Sequence, residues 1–380
     1  MNGILTPQQC TDQARFRAHI HQVIAPQATN FDQQEQLSGE MIQELATQGY
    51  LGALLPVEYG GAGQDLLTFG LLNAELGRGC TAVRSLVSVQ NMIATAILNW
   101  GDTRLKENWL PQLASGQVIG AFALSEPEVG SDARNIQASA TLIGEHYRLN
   151  GHKKWISFGQ VADLLLTFAQ SPEGMVALLV ARDTPGLVIR PLRGLLGARA
   201  SMLAEIEYHD CQVPATNLVG TPGFGFVPVA LQALDLGRYS IAWGSVGMAE
   251  ACLEASLSYA RRRRQFGVQI GQHQLIQQII TDMAVQVKAA WQLCWQAGQC
   301  KTKQAPDAFL ETMFAKYYAT RMASKVASDA IQIHGANGCT TDYPFERFLR
   351  DAKMMEIIEG STQIHQTKIA EYLIQHQTRP

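Results

Sequence analysis

The sequence has little charge and no long hydrophobic run. Only 17% of its 380 residues are charged, compared with about 25% in a typical globular protein. Lys and Arg number 30 and Asp and Glu 33, giving a net charge of -3, which excludes a strongly basic nucleic-acid binder and an acidic solvating chain. The low charge favours a surface covered by a partner subunit or, equally well, a surface rich in glutamine.

Targeting and disulfide patterns are also absent. Apolar runs such as residues 164–168 are far too short to cross a bilayer, and the first ten residues lack the basic-then-apolar order of a signal peptide. There are 7 cysteines and no C-x-x-C. The sequence therefore predicts a cytoplasmic protein without a membrane span, whose reduced cysteines serve packing.

Several cofactor and metal motifs are missing as well. The sequence has no G-x-G-x-x-G behind a strand, no P-loop and no H-E-x-x-H. His209 and Cys211 are close together, but alternation and the lack of a second pair favour a β-strand over a metal site. We therefore predict no metal.

The pattern along the chain changes twice. Helical periodicity dominates residues 1–118 and returns after residue 226, where Ile276, Ile280, Met283, Val287, Trp291 and Cys294 line one helix face. Between them lie short strand-like segments, bounded by turn residues, at 138–149, 161–170, 175–181, 187–192 and 203–213. This order predicts an α+β fold with a helical domain (1–118), a middle β domain, barrel or sandwich (119–225), and a second helical domain (226–380).

Two segments of the middle domain are candidates for ligand contacts. The first, residues 121–132, combines turn residues with small polar side chains that could meet a planar ligand. In the second, residues 153–157, Trp155 could cover an aromatic ring and Ser157 could donate a hydrogen bond. The alternatives are an ordinary loop and a strand with a core tryptophan.

Three candidate segments lie in the C-terminal part. Residues 261–264 are four arginines that, on a helix, point in all directions, so that at most two face a phosphate; the alternative is a solvated charge run. Gly335 and Gly338 permit close approach of a ligand, or Gly335 ends a helix. Glu359, between apolar residues and Gly360, is either a base with a raised pKa or an acid at a helix start.

Together and in this order, these segments resemble the acyl-CoA dehydrogenase family of flavoproteins. The resemblance begins at residues 49–61 (GYLGALLPVEYGG) and extends to about residue 374. It implies an N-terminal helical domain, a middle β domain, a C-terminal four-helix bundle, bound FAD and a homotetramer (or homodimer). The residues that it assigns to FAD are Phe122, Leu124, Ser125, Trp155, Ile156, Ser157, Arg263, Phe266, Gln274, Gln332, Gly335, Gly338, Ser361 and Gln363.

The resemblance also implies the chemistry. Glu359 matches the catalytic base, which removes the α-proton of an acyl thioester while a hydride passes from the β-carbon to flavin N5. A subset of the family carries its base at the position of Gly237, which favours Glu359 here. Ser131, Asp235, Arg238 and Gly360 match positions near the substrate.

Alternatives remain within the family. Residues 78–92 look more like members that act on acyl-carrier-protein thioesters, so either CoA or a carrier protein would present the acyl group. The electron acceptor would be an electron-transfer flavoprotein or oxygen. An acyl-CoA oxidase or a flavin monooxygenase of the same fold is the competing enzyme, and a flavin-less scaffold protein is the competing non-enzyme.

Overall fold

A computed structural model describes residues 5–376 of the chain. It has a helical part, a curled β-sheet and a second helical part in that order, which confirms the predicted α+β architecture. Within residues 5–376 the α-helices are α1 (Pro7–His19), α2 (Ala28–Gln34), α3 (Gly39–Thr47), α4 (Leu66–Gly79), α5 (Thr81–Trp100), α6 (Thr103–Ala114), α7 (Gln232–Arg262), α8 (Gln274–Thr302), α9 (Ala308–His334), α10 (Phe345–Ile357) and α11 (Thr362–His376).

The middle part is one curled sheet. Its strands are β1 (Gly120–Ala123), β2 (Ser139–Ile143), β3 (His146–Ile156), β4 (Leu164–Ser171), β5 (Gly174–Ala181), β6 (Leu187–Pro191) and β7 (Ala204–Pro214). The order is β1-β4-β2-β3-β7-β6, and β5 pairs with β4. β1 runs parallel to β4, while β3 pairs antiparallel with β2 and β7. A separate hairpin of β8 (Arg264–Gln265) and β9 (Val268–Gln269) follows α7.

The predicted apolar face of α8 is confirmed. Met283, Val287, Trp291 and Cys294 are buried, and the face packs toward α7 and α9. In the C-terminal part α7, α8, α9 and α10 pack on one another, with α11 against α9. Spacing of apolar residues by three or four places them on one side of a helix, so burying that side stabilises the bundle.

Helix α5 was not predicted. Its buried residues include polar side chains such as Arg84, Gln90 and Asn91, so polar and apolar residues do not divide into an exposed side and a buried side. By length and composition α5 is apolar enough to cross a membrane, but 89% of its most apolar 18-residue window is buried inside the fold. It packs against α4, α6, α7 and β1, as a central core helix does.

Two sequence predictions need correction. Residues 138–149 do not form one strand: they form β2 and the start of β3, joined at Gly144, whose φ of 61° permits a tight turn. The four arginines of residues 261–264 do not share a helix. α7 ends at Arg262, Arg263 is its extended C-cap, and Arg264 begins β8, so Arg263 leaves the helix surface altogether.

Helices α4 and α7 approach closely because glycines face the contact. A Cβ on Gly77 would overlap the carbonyl oxygen of Gly244, and a Cβ on Gly247 would overlap the carbonyl oxygen of Ala74. Backbone atoms cannot move aside as a flexible side chain can, so this packing requires glycine at both positions.

We therefore predict that Gly247→Ala destabilises the protein by about 1–3 kcal/mol or more, because the added methyl overpacks the α4–α7 contact. Urea denaturation measures the free energy of unfolding. Gly39→Ala, at a helical glycine with nothing within 4 Å of the added Cβ, is the matched control and should be neutral or slightly stabilising. Equal stability of the two variants would contradict the packing argument.

Candidate active site

Glu359 lies in the short loop between α10 and α11. It adopts the left-handed region with a φ of 56°, and Gly360 follows with a φ of 99°. Ser361 then caps α11, because its Oγ accepts a hydrogen bond from the Ile364 N–H at 3.4 Å. A non-glycine residue at positive φ is uncommon and needs support from its surroundings.

Two buried cations supply that support. Arg238 on α7 donates from Nε to the carbonyl oxygen of Glu359 at 2.8 Å, and Lys316 on α9 donates from Nζ to the carbonyl oxygen of Gly360 at 2.6 Å. Arg238 is 8% exposed and Lys316 only 1%. Both cations therefore bind the backbone of the loop, and within residues 5–376 the Glu359 carboxylate has no ion-pair partner at hydrogen-bond distance.

The Glu359 carboxyl group is poorly solvated. Although the residue as a whole is partly exposed, its Oε2 is buried and has no hydrogen-bond partner among the described residues. Burial raises the pKa of Glu359 to about 7, against the opposing charges of Arg238, Lys316 and Arg84. A carboxyl group in this state can exchange a proton near neutral pH, which fits a base better than an ordinary acid at a helix start.

Gly237 makes room for this carboxyl group. A Cβ at position 237 would lie 2.8 Å from Glu359 Cδ and 2.9 Å from each carboxylate oxygen. The side chain of Glu359 therefore lies directly against the backbone of α7. The predicted substrate residues Asp235 and Arg238 occupy the same part of α7, where Asp235 forms an ion pair with Lys301.

His365 adds a neutral group behind the loop. Its Nδ1 carries the proton, since it lies 3.0 Å from the carbonyl oxygen of Ser361, which can only accept. Burial lowers the pKa of His365 to about 4, and its Nε2 is buried with no hydrogen-bond partner in the described part of the chain. The sequence analysis missed both His365 and Lys316, because neither belongs to a recognisable motif.

A second group of predicted residues lies where β1 and β3 end. The Lys154 N–H donates to the Ser125 carbonyl oxygen at 2.9 Å, which brings residues 122–125 and 155–157 together. Trp155 is 53% exposed, so the alternative of a core tryptophan is wrong. Ser125 and Ser157 are partly exposed, whereas Leu124 and Ile156 are buried. Ser131, farther along the first segment, is exposed.

A buried ion pair fixes this second group from behind. Lys153 donates from Nζ to Glu126 Oε1 at 2.7 Å and to the Leu124 carbonyl oxygen at 3.0 Å. Glu126 also accepts the N–H groups of Gln137 at 2.6 Å and Ala138 at 2.9 Å. Burial lowers the pKa of Lys153 to about 8, and Glu126 opposes that shift. Glu126 and Lys153 lie within the two candidate segments 121–132 and 153–157, but no sequence pattern predicts that they pair.

The third group lies at the adjacent ends of α7 and α9. Asn337 donates from Nδ2 to the Tyr259 hydroxyl at 3.0 Å, which joins the two helix ends. Gly335 has a φ of 61° and caps α9, while Gly338 packs on the last turn of that helix. The predicted helix end at Gly335 is thus confirmed. The other predicted members, all exposed, are Arg263, Phe266, Gln274 and Gln332.

Comparisons with known proteins identify this arrangement. Three domain models of acyl-CoA dehydrogenases match the chain: the N-terminal domain over residues 6–117, the middle domain over 121–211 and the C-terminal domain over 225–374. A probable acyl-CoA dehydrogenase of Bacillus subtilis, YngJ, is 38% identical over 98% of this chain and 100% of its own length. The mitochondrial short-chain specific acyl-CoA dehydrogenase of Rattus norvegicus is 36% identical over 92% of this chain and 86% of its own length.

Solved structures agree. A glutaryl-CoA dehydrogenase of Mycobacterium smegmatis in complex with FADH2 superposes with a TM-score of 0.94 at 28% identity, covering 98% of this chain and 96% of its own. The prolyl acyl carrier protein oxidase AnaB gives 0.93 at 29% identity, over 97% and 99% of the two chains. A chain from a study of the electron transferring flavoprotein of Acidaminococcus fermentans gives 0.94 at 33% identity, over 98% and 100%.

The fold and these matches define an FAD-dependent oxidoreductase. The chain belongs to the acyl-CoA dehydrogenase family, as the sequence resemblance predicted. The residues present fit the cofactor, because an exposed indole at Trp155 stands beside two accessible hydroxyls, and the arginines at the end of α7 suit a phosphate.

We predict that Lys153→Met destabilises the protein by roughly 3–5 kcal/mol, because it leaves Glu126 buried without its cation. The double variant Glu126→Gln with Lys153→Met should lose less stability than the single variant, since no unpaired charge remains. Urea denaturation followed by circular dichroism compares them. A double variant less stable than Lys153→Met would mean that the ion pair does not govern this segment.

Proposed function

We propose that the protein catalyses the FAD-dependent α,β-dehydrogenation of an acyl thioester, with Glu359 as the base. The observation that carries the proposal is the buried, unpartnered Oε2 of Glu359, held against Gly237 in a carboxyl group whose pKa is about 7. A base must be deprotonated to act and basic enough to accept the proton, and a pKa near the working pH serves both needs.

The chain's own residues perform the proton transfer and the positioning. Glu359 takes the proton from the α-carbon of the thioester. Within residues 5–376 the Glu359 N–H makes no hydrogen bond to another backbone carbonyl, so it is available to the thioester oxygen. Such a donor stabilises the negative charge that develops on that oxygen as the proton leaves. FAD, when bound, supplies the acceptor for the hydride of the β-carbon.

Arg238 and Lys316 are positioning residues in this proposal. By binding the carbonyl oxygens of Glu359 and Gly360 they fix the left-handed loop that aims the carboxyl group at α7. Asp235, Gly360 and Ser131 are proposed to lie along the substrate, as the family resemblance implies. Ser361 and Gln363 are proposed to contact FAD from the start of α11.

The cofactor is proposed to lie between the second group of residues and the third group of a partner subunit. Phe266 is 93% exposed at the tip of the β8–β9 hairpin, and Arg263, Gln274 and Gln332 are exposed at the ends of α7, α8 and α9. Exposed aromatic and arginine side chains at one end of a bundle are typical of residues that complete a site across an interface. A homotetramer, or a homodimer, would supply the partner.

The acyl carrier is CoA or an acyl carrier protein. Several relatives are named for CoA thioesters, whereas AnaB is named as an acyl carrier protein oxidase. The electron acceptor is an electron-transfer flavoprotein or oxygen. The same AnaB match makes an oxygen-using oxidase the second candidate function. We place the protein in the cytoplasm, as proposed from its sequence.

We expect Glu359→Gln to lower the rate of substrate-induced flavin bleaching by roughly 1,000-fold, because the amide cannot accept the α-proton. Anaerobic stopped-flow absorbance measures the rate. Glu371→Gln, which changes an exposed carboxylate on α11, is the matched control and should bleach like the wild type. A fully active Glu359→Gln enzyme would exclude Glu359 as the base.

Flavin bleaching, peroxide formation and flavin content together distinguish the two carriers, the oxidase and the scaffold protein. Matched CoA and carrier-protein thioesters of one acyl group show which carrier bleaches the flavin faster. Peroxide formed in air during turnover would favour the oxidase. A purified protein that contains no flavin and gains none on reconstitution would favour a scaffold protein.

We expect kcat/KM of the wild type to rise with pH through about 7, because protonated Glu359 cannot accept the α-proton. The Lys316 charge lowers the pKa of Glu359, so Lys316→Met should move this limb to higher pH, and Lys316→Arg should restore it. A pH–rate profile for each variant provides the measurement. A uniform loss of kcat/KM without a shifted limb would assign Lys316 to structure alone.

A further inference from the structure

Strained backbone is concentrated in two segments of the described chain, which we call the flavin-facing turn (residues 155–160) and the support segment (residues 197–202). Each segment contains two non-glycine residues in the left-handed region. They are Trp155 (φ 65°), Phe158 (φ 58°), Ala198 (φ 49°) and Met202 (φ 47°). Such a conformation is costly and persists only where the surroundings hold it. The flavin-facing turn includes residues proposed to contact FAD, whereas the support segment belongs to no sequence motif.

Two backbone hydrogen bonds join these segments. The Phe158 N–H donates to the Ser201 carbonyl oxygen at 2.8 Å, and the Gln160 N–H donates to the Met202 carbonyl oxygen at 3.3 Å. Phe158 is fully buried, while Ser201 and Met202 are 2% and 4% exposed. The flavin-facing turn is therefore held from its buried side by the support segment.

Asp351 on α10 binds the support segment in turn. Its Oδ1 accepts a hydrogen bond from the Ala198 N–H at 2.6 Å, and the residue is only 2% exposed. Gly197 lies directly on α10, because an added Cβ would come within 2.5 Å of the Arg350 carbonyl group. A hydrogen bond from a backbone N–H to a carboxylate is stronger than one between neutral groups. The support segment therefore takes its position from α10.

The Asp351 carboxyl group also faces Arg347. Arg347 Nη1 lies 3.8 Å from Asp351 Oδ2, which is too far for a hydrogen bond. Nε and Nη1 of Arg347 are buried and have no hydrogen-bond partner among the described residues. Of these two neighbours, the Ala198 N–H at 2.6 Å is the closer partner of Asp351. A role as the ion-pair partner of Arg347 therefore does not account for the position of this carboxyl group.

Helix α10 also leads to the proposed base. Asp351 lies eight residues before Glu359, and α10 continues to Ile357. The helix thus carries the loop of Glu359 at its end and, about two turns earlier, the residue that binds the support segment. In the proposed reaction the proton and the hydride leave adjacent carbons, so the base and the flavin must keep a fixed separation. One helix that positions both groups meets this requirement.

We infer that Asp351 is a positioning residue for the flavin, because through the support segment it holds the flavin-facing turn at a set distance from Glu359. The inference rests on the proposed dehydrogenation and adds to it a residue that acts through other residues. Loss of the Asp351 acceptor displaces the flavin-facing turn and leaves the acid–base behaviour of Glu359 unchanged.

The first test compares two variants of the holoenzyme. Asp351→Val removes the acceptor, whereas Asp351→Asn keeps an acceptor oxygen in nearly the same shape. Amide hydrogen exchange followed by mass spectrometry measures the protection of residues 155–160 without any turnover. We expect faster exchange of these amides in Asp351→Val and nearly wild-type exchange in Asp351→Asn. The amides in the core of α8 should exchange as in the wild type in both variants.

The second test measures the flavin itself. Titration of the apoprotein with FAD should give a Kd raised about tenfold or more in Asp351→Val, the range for loss of a hydrogen bond to a charged group. Substrate-induced bleaching should slow by roughly 100-fold, as for a displacement of about 1 Å. The pH limb near 7 should not move. Asp183→Val, which changes an exposed aspartate after β5, is the control and should match the wild type.

A glycine offers an independent way to displace the support segment. Gly197→Ala places a methyl group against the backbone of α10, so it should raise exchange and the Kd for FAD in the same way. Gly39→Ala, whose added Cβ meets nothing within 4 Å, is its control. If Asp351→Val does not fold, Gly197→Ala is measured in its place.

Three results would overturn the inference and leave the proposed dehydrogenation intact. The first is unchanged exchange of residues 155–160 together with an unchanged Kd for FAD. The second is a uniform rise in exchange over the turn and α8, which would assign Asp351 to global stability alone. The third is an equal loss in Asp351→Asn and Asp351→Val, since the acceptor oxygen would then not matter. If the wild type bound no FAD, the proposed function itself would fail.

Discussion

The small residues along one face of α7 are the constraint on which the rest of the site depends. Gly237, Ser240, Gly244 and Gly247 follow one another at helical spacing and share a face. Gly237 admits the Glu359 carboxyl group, Gly244 admits the stem of Arg84, and Gly247 admits the backbone of α4. Because no large side chain stands between them, three distant parts of the chain meet along a single helix.

The charges of the site follow from this close packing. Arg84, Arg238 and Lys316 are three buried cations around one buried carboxyl group, and two of them donate to backbone carbonyls. Burial lowers the pKa of Lys316 to about 7 and raises that of Glu359 to about 7. Glu359 thus has no close ion-pair partner within residues 5–376. Such a partner would lower the pKa of Glu359 and make it a weaker base.

Much of the fold could be predicted from the sequence, because the periodic spacing of apolar residues and the residues that end a helix are local patterns. The apolar face of α8 and the end of α9 at Gly335 depend on residues a few positions apart. Helix α5 could not, since its polar residues are buried together with its apolar ones. Lys316 donates to Gly360, 44 positions away, and Arg84 donates to Ser240, 156 positions away. No local pattern in the sequence predicts such contacts. Glu359 was found through the family motif, whereas its burial required the structure.

The third group of residues forms an ordered local structure but leaves a large aromatic side chain exposed. The hairpin is closed by Arg264, whose Nη2 donates to the Gly267 carbonyl oxygen at 2.7 Å, and the rings of Tyr259 and His334 pack with centroids 4.2 Å apart. Phe266 nevertheless remains 93% exposed. Removing such a ring from water would be favourable by about 2–3 kcal/mol. Burying this end against another subunit would account for its exposed ring.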